Sequence, residues 1–247
     1  MSKIVERTLD LLELFAKEKR PLSLSEIACL LKIPMSSCHD VVRAMQARGY
    51  LYELAPRAGY YPTLRLLMLG KDIGDNDPIV MRAELLLRSL RDTLDESVLL
   101  SKVSGLQATY LLAFEPTHPL RFLVKIGDNV RCLYATSAGK ALLADLKPAA
   151  LADFLKSARL KSMTKQTIIS KNALRKDIEL GRQRGWHLNH GESLKGVTTV
   201  SAMFRWNSSP YIVTIAGPSS RLDQKLDNAV GLLTNVCQLL EMKPKAK

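Results

Sequence analysis

Residues 22–61, LSLSEIACLLKIPMSSCHDVVRAMQARGYLYELAPRAGYY, decide the fold of the first part of this chain. Ser23-Leu24-Ser25-Glu26 has the form of a capping box: Ser23 accepts from the amide three residues on, and Glu26 reaches back to the amide of Ser23. It opens a short helix whose apolar face is Ile27, Ala28, Leu30 and Leu31. Lys32-Ile33-Pro34 breaks the chain, since the ring of a proline pushes the residue before it out of helical backbone. A third helix starts near Met35 and Ser36 and runs to Arg48, with Gly49 just past its end, where a left-handed residue is wanted. Residues 50–54 and 59–62 then read as two strands around a turn at 55–58. Working outward to the N-terminus, Ile4, Val5, Leu9, Leu12, Phe15 and Ala16 recur at helical spacing and define a first helix, which Lys19-Arg20-Pro21 ends.

Two short helices joined by a tight turn form a helix-turn-helix, and the third helix is its candidate reader. Cys38, Val41, Val42 and Met45 make a buried stripe. Ser36, Ser37, Asp40, Arg43 and Ala47 face outward, with His39 at the margin. Small hydroxyls at the start of this helix let it enter a groove and place donors near phosphates, and Arg43 is long enough to reach a base edge or a phosphate. A generic helical hairpin with a solvated face would show the same pattern. The β-hairpin directly after the third helix separates the two readings: it is the wing of a winged helix, with Arg57 at its tip available to a minor groove.

The formal charge of +12 and pI near 9.6 favour a polyanionic partner. Residues 1–70 nevertheless carry ten Lys/Arg against seven Asp/Glu, a net of +3 that leaves +9 for the rest. A simple basic arm is excluded, and DNA binding has to rest on geometry. The four cysteines (Cys29, Cys38, Cys132, Cys237) are far apart and read as scattered buried thiols, not as disulfides or a metal site. No apolar run approaches the roughly 18 residues of a membrane span, and residues 1–7 lack the apolar core of a signal peptide, so the expected compartment is the cytoplasm.

Beyond residue 63 the pattern changes. Residues 64–77 read as a linking helix and a break, and 78–94 as an amphipathic helix with residues 85–87 and Leu90 inward. Strands are expected at 98–103, 108–113 and 121–125, helices at 138–146, 149–155 and 172–184, strands again at 185–188, 197–204 and 211–217, and a last helix over 222–240. Runs of strands interrupted by blocks of helices imply an α+β fold with a largely antiparallel sheet. The expected domains are a winged helix-turn-helix over 1–66, a linker helix over 67–78 and a second domain over 79–247.

The order of parts resembles the IclR family of bacterial regulators. Leu12-Glu13-Leu14-Phe15, Leu22-Ser23-Leu24-Ser25-Glu26-Ile27-Ala28 and Pro34-Met35-Ser36-Ser37-Cys38-His39 match its three DNA-binding helices, and Arg48-Gly49-Tyr50-Leu51 the step into the wing. Asp40 stands where many members carry Arg, which removes one phosphate contact. In the second domain, residues 134–144 (YATSAGKALLA) resemble the "hATSaGKAlLA" motif and residues 216–222 (AGPSSRL) the "sGPxxRl" segment. The resemblance implies a GAF-like effector-binding domain, with a pocket between the sheet and residues 137–140. It nominates Ser137, Ala138, Asn189, Val197, Thr199 and Thr214 as effector contacts. Asn189 stands where some members have Asp, which makes the pocket less anionic; Ser137 would offer a hydroxyl and helix-start amides, suiting a carboxylate. The expected ligand is a small organic or aromatic acid. The expected partners are a palindromic double-stranded operator and further copies of the chain, as a homodimer or tetramer paired through residues 64–77; no metal or other cofactor is expected.

Three motifs invite an enzymatic reading and fail it. Residues 136–141 (TSAGKA) lack the first glycine of a P-loop, and Ala141 replaces its magnesium-binding hydroxyl. Residues 191–196 (GESLKG) are one residue too long for a nucleophile elbow. His187 and His190 have no carboxylate partner in sequence. The rival to a regulator is thus an enzyme with an accessory nucleic-acid module. The basic segment 156–184 reads as a solvated helix face, with contact to RNA polymerase or DNA as the alternative.

Overall fold

The computed structural model describes residues 3–55 and 58–242, and the chain divides into two units between Asp77 and Pro78. In the first, α1 (Lys3–Glu18), α2 (Leu24–Leu31) and α3 (Met35–Ala47) are followed by the antiparallel strands β1 (Leu51–Glu53) and β2 (Tyr60–Pro62) and by α4 (Arg65–Asp75). The capping box forms as read: the Ser23 amide donates to Glu26 Oε2 at 2.8 Å and Ser23 Oγ accepts from the Glu26 amide at 3.3 Å. Lys32 ends α2 in left-handed backbone (φ 53°) and turns the chain into α3. Leu22 pairs with Tyr60 on both backbone groups, so the residue ahead of α2 is bridged to the wing hairpin. Gly59 makes this possible: its φ is +101°, and a Cβ there would sit 3.0 Å from the Leu22 backbone.

The core of this unit joins Leu11, Leu14 and Phe15 of α1 to Ile27, Val41, Val42, Met45 and Leu51. The first helix is therefore turned from the expected face: Ile4, Val5 and Leu9 are exposed, while Leu11 and Leu14 point inward. Leu30 of α2 is also exposed. The sequence has apolar residues on both sides of α1, and only packing chooses between them. Helix α4 buries none of its residues.

The second unit runs α5 (Pro78–Leu94), β3 (Ser97–Ser104), β4 (Gln107–Phe114), α6 (Ser137–Asp145), α7 (Pro148–Ser157), α8 (Lys171–Arg184), β5 (His187–His190), β6 (Val197–Trp206), β7 (Ser209–Pro218), α9 (Ser219–Leu222) and α10 (Leu226–Glu241). Its sheet has the order β4-β3-β7-β6-β5, antiparallel at every step. Strand alternation sorts side chains to two faces. Val98, Leu100, Val213 and Ile215 pack under Leu87 and Leu90 of α5 and Leu233 and Leu240 of α10. On the opposite face, Val103, Ala108 and Ile212 meet Leu142 and Leu143 of α6 and Leu174 and Ile178 of α8.

Several expectations are corrected. Leu85 of α5 points to solvent, with Ile79, Ala83, Leu87, Leu90 and Leu94 inward instead. Residues 121–125 form no strand. The edge of β4 they would have joined is taken by residues 127–130, whose backbone bonds to Tyr110 and Ala108. The strand expected at 185–188 is β5, two residues later, because Gly185 caps α8 in left-handed backbone. The last helix is broken by a 3-10 turn, Asp223–Lys225. Of the cysteines, all free, only Cys38 and Cys237 are buried.

Candidate functional site

Helix α3 presents the expected reading face. Cys38, Val41, Val42 and Met45 are buried, whereas Ser36, His39, Asp40, Arg43 and Ala47 are exposed and Ser37 is half-buried. Its N-cap is Pro34, which supplies no side-chain acceptor, and no acidic residue stands in its first turn. The amides at its start are therefore free of side-chain caps, at the positive end of the helix dipole, which is how helices bind phosphate. Asp40 lies one turn in, its Oδ1 3.7 Å from His39 Nδ1. Arg43 has no hydrogen-bond or ion-pair partner among the described residues. Arg57, the wing-tip candidate, lies outside the described residues. The supporting helix is held by the capping box, whose Ser23 amide, with Arg20, pulls the Glu26 carboxyl down to about 2.

Ser37 and Asp40 also border a cavity of about 590 Å³ formed by α1, α3 and α4. Its apolar walls include Ile4, Leu12, Val41, Leu66 and Leu69.

In the second unit the structure gathers four of the six nominated effector residues. Thr136 caps α6 by accepting from the Gly139 amide at 3.2 Å. Ser137, fully buried, shares hydrogen bonds with Thr199 Oγ1 at 2.6 Å and Ser201 Oγ at 2.7 Å. Ser201 continues to Thr214 Oγ1 at 2.8 Å, and Asn189 Nδ2 donates to Thr199 Oγ1 at 3.3 Å and Ser193 Oγ at 3.1 Å. Ala138 instead packs into the apolar cluster of α6, and Val197 lies half-buried at the start of β6, on the same face as Thr199. Ser193 and Ser201 were missed. Ser201 was legible, because it stands two residues from Thr199 and strand alternation puts both on one face.

The glycine and lysine that follow Ser137 are structural. A Cβ on Gly139 would fall 2.3 Å from the Leu133 backbone, so α6 packs directly on the preceding loop. The Lys140 side chain is buried, and its Nζ donates to Leu188 O at 3.0 Å and to Glu192 Oε1 at 2.5 Å, with Asp177 Oδ2 at 2.8 Å. It ties α6, α8 and β5 together and cannot serve a phosphate loop. Burial raises the Glu192 carboxyl, against the pull of Lys140. His187 and His190 stand on opposite faces of β5. Burial pushes His187 down to about 4, while His190 is exposed, 2.8 Å from Asp223 Oδ2. They share no acid–base site, and among the described residues no group of three or more His, Cys, Asp or Glu could hold a metal.

A cavity of about 290 Å³ lies beside the hydroxyl network, bordered by Thr136 and Ser193. Tyr110, Phe122, Val124 and Met163 supply apolar wall, and Lys125, Asp128 and Arg131 the charges. Burial, then Asp128, raises the Tyr110 phenol, which therefore stays a neutral donor.

Residues 4–55 match the IclR helix-turn-helix domain, and residues 73–240 match the bacterial transcriptional regulator IclR C-terminal domain. The chain belongs to the IclR family. The transcriptional repressor IclR of Escherichia coli (strain K12) is 26% identical over 220 residues, covering 87% of this chain and 80% of its own. Among solved structures, a transcriptional regulator from Rhodococcus sp. RHA1 superposes with a TM-score of 0.79 at 22% identity, over 98% of this chain and 97% of that one. An IclR homologue from Microbacterium hydrocarbonoxydans, crystallised with 4-hydroxybenzoate, gives 0.76 at 18% identity, over 97% of this chain and 98% of that one. This IclR-family chain is accordingly a transcriptional regulator with a helix-turn-helix DNA-binding domain and a C-terminal α+β domain, not an enzyme. No helix among its described residues is long and apolar enough to cross a membrane.

Proposed function

We propose that the chain is a cytoplasmic, homodimeric regulator that reads a palindromic operator with α3 and releases or engages it in response to a small organic acid. The observation that carries this reading is the outer face of α3: exposed Ser36, His39 and Arg43 beside a helix start without a side-chain cap. Ser36, Ser37 and the first amides suit phosphate, Arg43 a guanine edge, and Asp40 the amino group of a cytosine. Arg57 would extend contact into the minor groove. One reading helix gives little contact, so such proteins use two half-sites about 34–36 Å apart. The exposed apolar residues of α4 (Leu64 at its cap, Leu67, Met68, Ile73) support pairing with a second copy, as do Ile4, Val5 and Leu9 of α1.

An acid effector is supported by the cavity beside the Ser137–Thr199–Asn189 network, and by the 4-hydroxybenzoate in the Microbacterium relative. For such a ligand to act, it must bind one arrangement of the reading heads better than the other. The basic residues of 156–184, which would be the contact to RNA polymerase, are accounted for in part locally: Arg182 pairs with Glu179, and Lys171 donates to Lys156 O. Footprinting of the intergenic region upstream of the gene tests the proposal. The expected result is a protected palindrome whose occupancy shifts with a carboxylate metabolite; turnover of that metabolite by the purified chain would favour an enzyme.

A further inference from the structure

We propose that the acid group of the effector is recognised by Lys125 and Arg131, on the loop that walls the 290 Å³ cavity, and not by the Ser137 hydroxyl network. The proposal rests on the effector-binding reading above and names the chemistry that would select the ligand. The network carries no charge, and most of its donors are spent on its own members. Ser137 already bonds to Thr199 and Ser201, Ser201 to Thr214, and Asn189 to Thr199 and Ser193. The cation nearest to it in the chain, Lys140, is held by Glu192 and Asp177, and a carboxylate placed beside them would meet two like charges. Of the amides at the start of α6, that of Gly139 is taken by Thr136 Oγ1.

The cavity offers the opposite. The side chains of Lys125 and Arg131 make no hydrogen bond or ion pair with any described residue, and Asp128 is the one carboxylate on the wall, leaving one positive charge in excess. The loop that carries them is pinned to the edge of β4. Tyr110 N donates to Asp128 O at 3.0 Å, Gly127 N to Tyr110 O at 2.9 Å and Val130 N to Ala108 O at 2.7 Å. On its other side, Ser97 Oγ donates to Phe122 O at 2.6 Å and Arg221 to Leu120 O at 3.0 Å. The backbone that positions the two cations is thus set before a ligand arrives, which lowers the entropy lost on binding. The volume is at the small end of the about 300–1,000 Å³ usual for ligand sites, and Tyr110, Phe122 and Val124 give it an apolar side. The ligand class is a small monocarboxylate with an apolar body. Ser193 touches both the cavity and Asn189, so an occupied cavity bears on the network at that residue.

Calorimetry on the full chain tests this with benzoate and its uncharged isostere benzamide. Benzoate is expected to bind the wild type about tenfold more tightly than benzamide, one charge-assisted contact's worth. Lys125→Gln/Arg131→Gln should erase that preference while leaving the thermal midpoint unchanged. Ser137→Ala should keep the preference. Retention of the full preference by the double variant would overturn the inference and leave acid binding by the chain standing. Binding of neither benzoate nor an aliphatic acid such as hexanoate by the wild type would overturn the acid-effector reading itself, and this inference with it.

Discussion

Both units start a decisive helix with a capping hydroxyl, Ser23 on α2 and Thr136 on α6, but the residues that follow are committed in different ways. The Ser23–Glu26 box closes on itself: each partner lies three residues from the other, and the surroundings are exposed or half-buried. After Thr136, Ser137 reaches partners 62 and 64 residues away and Lys140 reaches Leu188, 48 away, all in the interior. The first arrangement costs little to form and contributes little; it needs only a helical turn. The second exists only once α6, α8, β5 and β6 are in place, and the low dielectric there makes each missing partner expensive. The contrast extends to function. In the first unit Ser36 and Arg43 are solvent-facing and uncommitted, whereas in the second the most distinctive motif is consumed by the fold and the free charges sit on a loop.

The strongest way to break this comparison is Lys140→Ala. It strands Glu192 and Asp177, and the expected loss is about 3–5 kcal/mol of second-unit stability in a urea titration. A loss no larger than that of an exposed pair, about 1 kcal/mol or less, would show that the cluster is not the nonlocal tie described. Lys140→Met with Glu192→Gln should recover part of it.

Acid should separate the units next. The unfolded chain protonates His187 near its ordinary 6.5, while the folded chain resists until about 4. Between these values the unfolded state binds more protons, so stability is full above 6.5 and falls by about 3 kcal/mol as pH drops to 4. The Glu26 carboxyl, held down to about 2, makes its loss later, as pH falls below 4.5. Denaturant midpoints measured across pH 7 to 3 with probes in each unit should therefore fall first in the second. A flat profile above pH 4.5 would contradict the buried neutral His187.

Arg43→Ala addresses the exposed face. Operator affinity should fall about tenfold, within the roughly 1–3 kcal/mol of a base contact, with no change in melting. Unchanged affinity in a gel-shift titration would mean that α3 reads with another face. The smallest effect is expected for Ser23→Ala, about 1 kcal/mol confined to the first unit, with the Glu26 carboxyl returning toward its ordinary range by NMR titration.

Local signals carried most of the first unit. The capping box, the break at Pro34 and the stripe of Cys38, Val41, Val42 and Met45 are all set within a turn or two, and all are found. The face of α1 was not legible, because apolar residues ring it and α2, α3 and the wing decide which are covered. In the second unit, alternation located five of the six expected strands with useful accuracy, yet misread residues 121–125, of which 122–125 line a cavity. The grouping of Ser137, Asn189, Thr199 and Thr214 came from the resemblance to the IclR family, and the structure joins them through one another's hydroxyls and amide.

By itself the sequence determined the two-part organisation, the helix-turn-helix with its wing and the antiparallel character of the second domain. These follow from periodicity and from hydrogen bonds spanning three or four residues, which the order of residues encodes directly. Only the tertiary structure decided which polar groups are free. Sheet register and helix packing set whether Ser137 and Lys140 face a ligand or each other's neighbours, and left Lys125 and Arg131 without partners beside a cavity.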